Sequence, residues 1–207
     1  MTWLYTDTTN HVVLGILSEK LEWLEYLEIF NQKSTADLHF LINEMLIKHK
    51  LNFETLTGYL FAAGPGSYTG MRVSEGIAQV LEWQNINVYS FYHYEIPRII
   101  EGSAAGIWFS EAFKGEYFLF NCITDEIELV SKEMFITRIN DLETNVYTHF
   151  KNDHIYSLVK SPSKIILTGE RIKNIPQEIF SQIVSRKKRV EPLYYRSEDK
   201  EFIPAKK

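Results

Sequence analysis

Gly64, Gly66 and Gly70 stand among Pro65, Ser67, Tyr68 and Thr69, between an apolar run and a helical pattern. A strand-to-helix corner of this kind exposes unpaired backbone amides that can hold an anion. The known phosphate loops are stricter. A P-loop needs Gly-Lys-Ser/Thr after four intervening residues, and here Gly70 is followed by Met71 and Arg72. A dinucleotide loop, G-x-G-x-x-G, is missed by one position. A nucleophile elbow centres its serine between two glycines, whereas Ser67 directly follows Gly66. Two readings stay open: an anion site, or a sharp corner in which Pro65 fixes one dihedral and the glycines permit positive ones.

Asp7, Thr8 and Thr9 form a second candidate. A carboxylate there can organise a hydrated magnesium ion, or simply close a turn by bonding to nearby amides. No second acidic residue offers itself as a metal partner. The six histidines, at positions 11, 39, 49, 93, 149 and 154, contain no H-E-x-x-H and no pair that shares one helical face. They are therefore expected to be surface or core histidines, with no metal site, and a metalloprotease is excluded. Cys122 is the sole cysteine, so no internal disulfide or thiolate cluster can form, which fits a reducing compartment.

A net charge of -5 argues against a stand-alone nucleic-acid binder, which needs a basic face to displace counterions. The strongest basic run, Ser185 to Arg189, is either a solvated face or a local contact. Asp7 comes too early for a signal peptide, and no apolar run reaches the length of a membrane span. The expectation is a cytoplasmic protein with no membrane partner.

The elements that must position these residues follow from periodicity. "WLYT" and "HVVLGILS" read as a hairpin with "DTTN" as the turn. "EKLEWLEYLEIF" by itself fits either a helix, by the spacing of Glu22, Glu25 and Glu28, or a strand, by its aromatics; after a turn at Ser18 to Lys20 it is read as a third antiparallel strand. "STADLHFLINEMLIKHK" reads as a helix capped by Ser34 with Asp37 at the reciprocal position and a stripe of Leu38, Leu41, Ile42, Met45 and Leu46. "TGYLFAAG" is a buried strand entering the glycine corner. "MRVSEGIAQVLEWQ" is a second helix with Val73, Ile77, Val80 and Leu81 on one side and Gly76 allowing a close approach. "NINVYSFYH", "GIWFSEA", "EYFLFNCI", "EIELV" and "KIILTGE" are further strands. "EIPRIIEG" and "PQEIFSQIVSR" are short helices, and "PLYYRSEDKEF" is an extended tail. Two strand-rich halves with helices imply an α/β fold of two similar lobes.

"GPGSYTGMR", Gly64 to Arg72, closely resembles the glycine loop of the TsaB (YeaZ) family, a bacterial subunit of tRNA threonylcarbamoyladenosine biosynthesis. "DTT" at Asp7 to Thr9, "FKGEYFLF" at Phe113 to Phe120 and "EPLYYR" at Glu191 to Arg196 match in family order. The resemblance implies an actin-like ATPase (ASKHA) fold with mixed sheets flanked by helices. It divides the chain into an N-terminal lobe, 1–102, and a smaller C-terminal lobe with an extended tail, 103–207. It further implies a non-catalytic scaffold, a pseudoenzyme without a cofactor of its own, that binds and stabilises the catalytic TsaD subunit. A TsaE-like ATPase joins that assembly, and tRNA is met indirectly.

On this view Asp7, Thr8, Thr9, Gly64, Gly66, Ser67, Thr69 and Gly70 are a vestigial phosphate site. Leu38, Leu41, Met45, Arg72, Val73, Glu75, Gly76, Ile77 and Val80 form the partner interface, and Lys187 and Lys188 are a possible tRNA contact. The chain departs from the family at Ser74 and Glu75, where a glycine and an aliphatic are typical. It departs again at Ser34 and Thr35, where a histidine is common nearby, and at Phe113, where an arginine is usual. The alternative is a small actin-like ATPase or phosphotransferase that holds Mg-ATP or ADP through Asp7, Gly66, Ser67 and Thr69. A homodimer through the same helices is a third possibility.

Overall fold

The computed structural model describes residues 2–30, 36–102, 106–112, 115–161 and 164–194. Strands β1 (Thr2–Asp7), β2 (Val12–Ser18) and β3 (Trp23–Ile29) form an antiparallel meander. The chain then makes helix α1 (Leu38–Lys48), strand β4 (Leu56–Ala62), helix α2 (Tyr68–Trp83) and strand β5 (Asn87–Phe91). β4 and β5 add in parallel beside β1, giving the order β3-β2-β1-β4-β5. Helix α3 (Ile96–Glu101) has Pro97 in its first turn, where the missing amide breaks no helical bond.

The second half repeats this wiring. β6 (Ile107–Glu111), β7 (Tyr117–Asn121) and β8 (Ile127–Val130) are antiparallel; β9 (Val146–Thr148) and β10 (Ile165–Leu167) add in parallel on the other side of β6. α4 (Lys132–Asp141) and α5 (Asp153–Leu158) occupy the places of α1 and α2 in the connectivity. The order β8-β7-β6-β9-β10 matches the first sheet strand for strand.

Alternation with period two puts successive side chains of the first sheet on opposite faces. Leu4, Leu14 and Phe61 pack toward α1 and α2, while Tyr5, Val13 and Leu60 pack toward α3 and the last two helices, α6 (Thr168–Asn174) and α7 (Pro176–Ser185). The chain thus returns to the first sheet after completing the second. In the second sheet Phe109, Tyr117 and Leu119 pack on α4 and α5, and Trp108, Phe118 and Phe120 pack against Tyr94 from the first half. Tyr94 stacks on Phe120 with centroids 4.1 Å apart, so one aromatic seam joins the two halves.

Several expectations are corrected. Ser34, Thr35, Phe113, Tyr195 and Arg196 lie outside the described residues. Asp37 occupies the N-cap position of α1 but makes no side-chain cap bond. Only Ile165–Leu167 of "KIILTGE" is strand, because Thr168 begins a helix. α4, β9 and α5 were not legible: α4 buries only Phe135 and Ile139, and β9 is three residues long.

The inner ridge of α2 also differs from the expected stripe. It consists of Gly70, Met71, Ser74, Ala78 and Leu81, while Val73 and Ile77 are half-buried at its side and Val80 is exposed. The cause is polar: Ser74 Oγ sits 2.8 Å from Thr8 Oγ1 and 3.2 Å from Thr6 Oγ1, so a small hydroxyl rather than a large apolar group faces the sheet. Gly76 faces outward, and a Cβ there would meet nothing within 4 Å, so it permits no close approach within the chain.

Candidate functional site

The turn after β1 and the corner after β4 are pressed together. Ser67 N donates to Thr9 O at 2.6 Å, and Thr8 Oγ1 donates to Gly70 O at 2.7 Å. A Cβ at Gly66 would lie 2.4 Å from Thr9 O, and one at Gly70 only 1.8 Å from Thr8 O. Gly64 has a φ of +111°, a backbone conformation that side chains rarely adopt. These glycines are needed for backbone-to-backbone contact. Ser67 Oγ caps α2 by accepting from Gly70 N at 3.3 Å, so two of the amides that could face an anion already have partners. Thr69 is exposed on the first turn of α2. The eight residues of the expected phosphate site are brought together, with Thr8–Thr9 in direct contact with Gly66–Gly70 and with Thr9, Gly66 and Ser67 also lining an adjacent cavity.

The corner is held from outside by the end of the described chain. Leu193 N donates to Ala63 O at 2.9 Å, and Tyr194 packs on Tyr68 with centroids 4.8 Å apart. Upstream, Val190 exchanges hydrogen bonds with Ser90 Oγ at 2.7 and 2.8 Å.

Behind the corner lies a group that sequence reasoning missed. Asp7, at the end of β1, is fully buried with His93, just after β5, and His149, just after β9. Asp7 Oδ1 accepts from Thr9 N at 2.9 Å and Thr9 Oγ1 at 2.7 Å, which closes the turn. Asp7 Oδ2 faces His149 Nε2 at 2.9 Å and His93 Nε2 at 3.3 Å. The two imidazoles stack with centroids 3.5 Å apart. Burial alone would raise the Asp7 carboxyl, but His93, then His149 and Thr9, hold it well below the usual carboxylate range. Burial pushes His93 down to about 3, aided by His149 and opposed by Asp7. Asp7 and His149 stand 142 positions apart, so spacing arguments could not pair them. The available signal was positional: a polar residue directly after a buried strand, at the carboxyl ends where α/β sheets gather their sites.

His93 and His149 line a cavity of about 610 Å³, together with Gly66, Tyr68, Trp108 and Tyr194. Its walls come from the turns that follow β1, β4 and β5, from strands β6 and β9 of the second sheet, and from Tyr194.

Of the expected interface, Leu38 and Met45 are core residues with no surface to offer a partner, and Leu41 packs against that core. Glu75 is engaged by Arg189 at 2.6 Å, and the same guanidinium reaches Glu82 at 2.5 Å. Arg72 is exposed and lies over the Tyr68 ring, 4.4 Å from its centroid. The outer sides of α1 and α2 instead present Phe40, Ile47, Val80 and Trp83, the last 83% exposed. Lys187 and Lys188 lie exposed beyond α7, with Lys188 Nζ 3.5 Å from Glu95. Among the described residues no helix is long and apolar enough to cross a membrane.

No protein-family model matches the chain. It is 28% identical over 178 residues to an uncharacterized protein, MG208, of Mycoplasma genitalium, covering 81% of this chain and 85% of that one. YeaZ from Pseudomonas aeruginosa superposes with a TM-score of 0.61 at 15% identity, over 94% of this chain and all of that one. A second structure, an uncharacterized protein with similarity to peptidase YEAZ from P. aeruginosa, gives 0.61 at 14% identity over 94% and 99%. The chain therefore has the two-lobed α/β fold of YeaZ.

Proposed function

We propose that this protein is a TsaB-like scaffold: it binds and stabilises a TsaD-like catalytic subunit that forms threonylcarbamoyladenosine beside the tRNA anticodon. A TsaE-like ATPase joins the assembly. The observation that carries the reading is the YeaZ fold over 94% of the chain, on a sequence whose glycine corner reads Gly-Pro-Gly-Ser-Tyr-Thr-Gly-Met-Arg. Two of the corner's amides, Ser67 N and Gly70 N, are already bonded to Thr9 O and Ser67 Oγ, which leaves fewer donors for a phosphate and weighs against the phosphotransferase reading. The corner's work is mechanical: it sets the start of α2 against β1 and so fixes the direction of the helix.

The partner surface is the outer side of α1 and α2. Phe40, Ile47, Val80 and Trp83 are large apolar groups on two helices that cover the same face of the first sheet. Exposed aromatics of this kind supply most of the binding energy when a partner covers them. Arg72 adds a cation on the same helix.

Affinity purification of the tagged full-length protein from its own cells at moderate salt, followed by mass spectrometry, tests the reading. Recovery of a TsaD-like protein in stoichiometric amount is expected from the wild type and not from Trp83→Asp. Absence of that protein, with the bait folded and abundant, overturns it.

A further inference from the structure

We propose that Asp7, His93 and His149 form a binding site for one divalent first-row transition ion, with zinc as the probe, and with an open coordination position toward the cavity between the two sheets. Two imidazoles and one carboxylate are a donor set for borderline cations of this class. All three side chains are buried, and their ligand atoms lie within 4.8 Å of one another. Ligands about 2.0–2.1 Å from a tetrahedral zinc ion stand about 3.3–3.4 Å apart. His149 Nε2 stands 2.9 Å and His93 Nε2 3.3 Å from Asp7 Oδ2, close to that spacing, and turning the stacked rings toward a common point completes the geometry.

The surrounding hydrogen bonds orient the ligands. Thr168 Oγ1 has one proton and two groups in reach of it, His149 Nδ1 at 2.9 Å and Thr148 O at 3.3 Å. With that proton donated to Thr148 O, Thr168 Oγ1 accepts from His149 Nδ1, and the neutral ring's Nε2 lone pair faces Asp7 Oδ2. In that tautomer the two acceptors stand 2.9 Å apart and an ion bridges them; in the other tautomer the neutral ring's Nε2–H donates to Asp7 Oδ2. A histidine whose far nitrogen is held by a second residue is the usual arrangement of a metal-bound imidazole.

His93 can be accounted for in the same way. Thr9 Oγ1 donates to Asp7 Oδ1, so without an ion His93 Nε2–H donates to Thr9 Oγ1 at 2.9 Å. Ion binding takes the proton from Nε2 and leaves the ring protonated at Nδ1, with no net change in charge. His93 Nδ1 has no hydrogen-bond partner among the described residues, so that transfer breaks no bond there. Three protein ligands leave a position for water or a small ligand. Because His93 and His149 line the 610 Å³ cavity, that position opens into it.

The test uses the full chain, stripped with a chelator and then titrated with zinc sulfate against a competing chromophoric chelator. One zinc per chain is expected. Histidine side-chain nitrogen resonances of the wild type should show zinc shifting Nε2 of His93 and His149 and no other imidazole, a readout that needs no variant to fold. His149→Gln and His93→Gln should each weaken binding at least about 100-fold, and Thr168→Val, which removes the orienting bond, about 10–100-fold. His39→Gln, on the exposed side of α1, should leave binding unchanged. Failure to bind one zinc, shifts confined to other histidines, or full affinity in both glutamine variants overturns the proposal and leaves His149 Nε2–H as an ordinary hydrogen-bond donor to Asp7. None of these readouts depends on a partner subunit, so the proposed site and the proposed scaffold can fail separately.

Discussion

Replacing Gly70 by alanine tests whether the glycine corner works by close packing. The new Cβ would stand 1.8 Å from Thr8 O, whereas real Cβ atoms essentially never come within 3.0 Å of another heavy atom. The start of α2 must therefore retreat by more than an ångström. That retreat strains or breaks the Thr8 Oγ1 to Gly70 O bond and the Thr8 to Ser74 hydroxyl contact, each worth about 1 kcal/mol. Overpacking adds about 1–3 kcal/mol, and the better helix propensity of alanine returns about 1 kcal/mol. The net expectation is a loss of about 3 kcal/mol, or about 6–12 °C in Tm for a chain of this size. Gly76→Ala, on the same helix with open space around its Cβ, should gain about 0.5–1 kcal/mol. Thermal unfolding followed by circular dichroism reads both. A Gly70→Ala Tm within about a degree of the wild type, while Gly76→Ala behaves as expected, would refute close packing as the corner's role.

Val80→Asp and Trp83→Asp, at 49% and 83% exposed positions, should abolish recovery of the partner while moving Tm by less than about 2 °C, because neither side chain supports the core. A large loss of Tm would instead place them in the fold. Arg189→Ala leaves Glu75 and Glu82 without their shared guanidinium. The expected cost is about 1 kcal/mol, given the partial exposure of all three groups, and an unchanged urea midpoint would remove the pairing from the stability account. Lys187→Glu with Lys188→Glu should weaken tRNA binding by the assembled complex, more at low salt than at high, without preventing assembly. Equal affinities across a salt series would rule out the contact. The Cys122 thiol, buried and pushed up to about 11 by that burial, should resist a thiol reagent in the native protein and react fully in urea. Fast native labelling would contradict its placement.

The first half of the chain was legible because its elements are long and regular. Short β-branched and apolar runs announced β1 and β2, and an i, i+3, i+4 stripe announced α1. The Gly-Pro-Gly corner also followed from local chemistry, since Gly64 needs a positive φ. The second half was harder, because α5 has six residues and β9 three, too short for periodicity to accumulate. In the first half Ser74 fell outside the expected stripe because its burial depends on the hydroxyls of Thr6 and Thr8. Interface candidates on α1 were misplaced for a related reason. An apolar stripe does not say whether it faces a sheet or a partner, and Leu38 and Met45 face the sheet.

What the sequence by itself determined is the set of local conformations, the alternation of strand and helix, and the two similar lobes, because these arise from neighbours within a few residues of one another. Only the tertiary structure decided that Asp7, His93 and His149 meet, since they sit after three different strands and come together when the second sheet folds against the first. It also decided that the glycine corner is closed against the Asp7–Thr9 turn. A backbone contact of that kind depends on how two loops from distant parts of the chain are pressed together, and local spacing carries no record of that pressure.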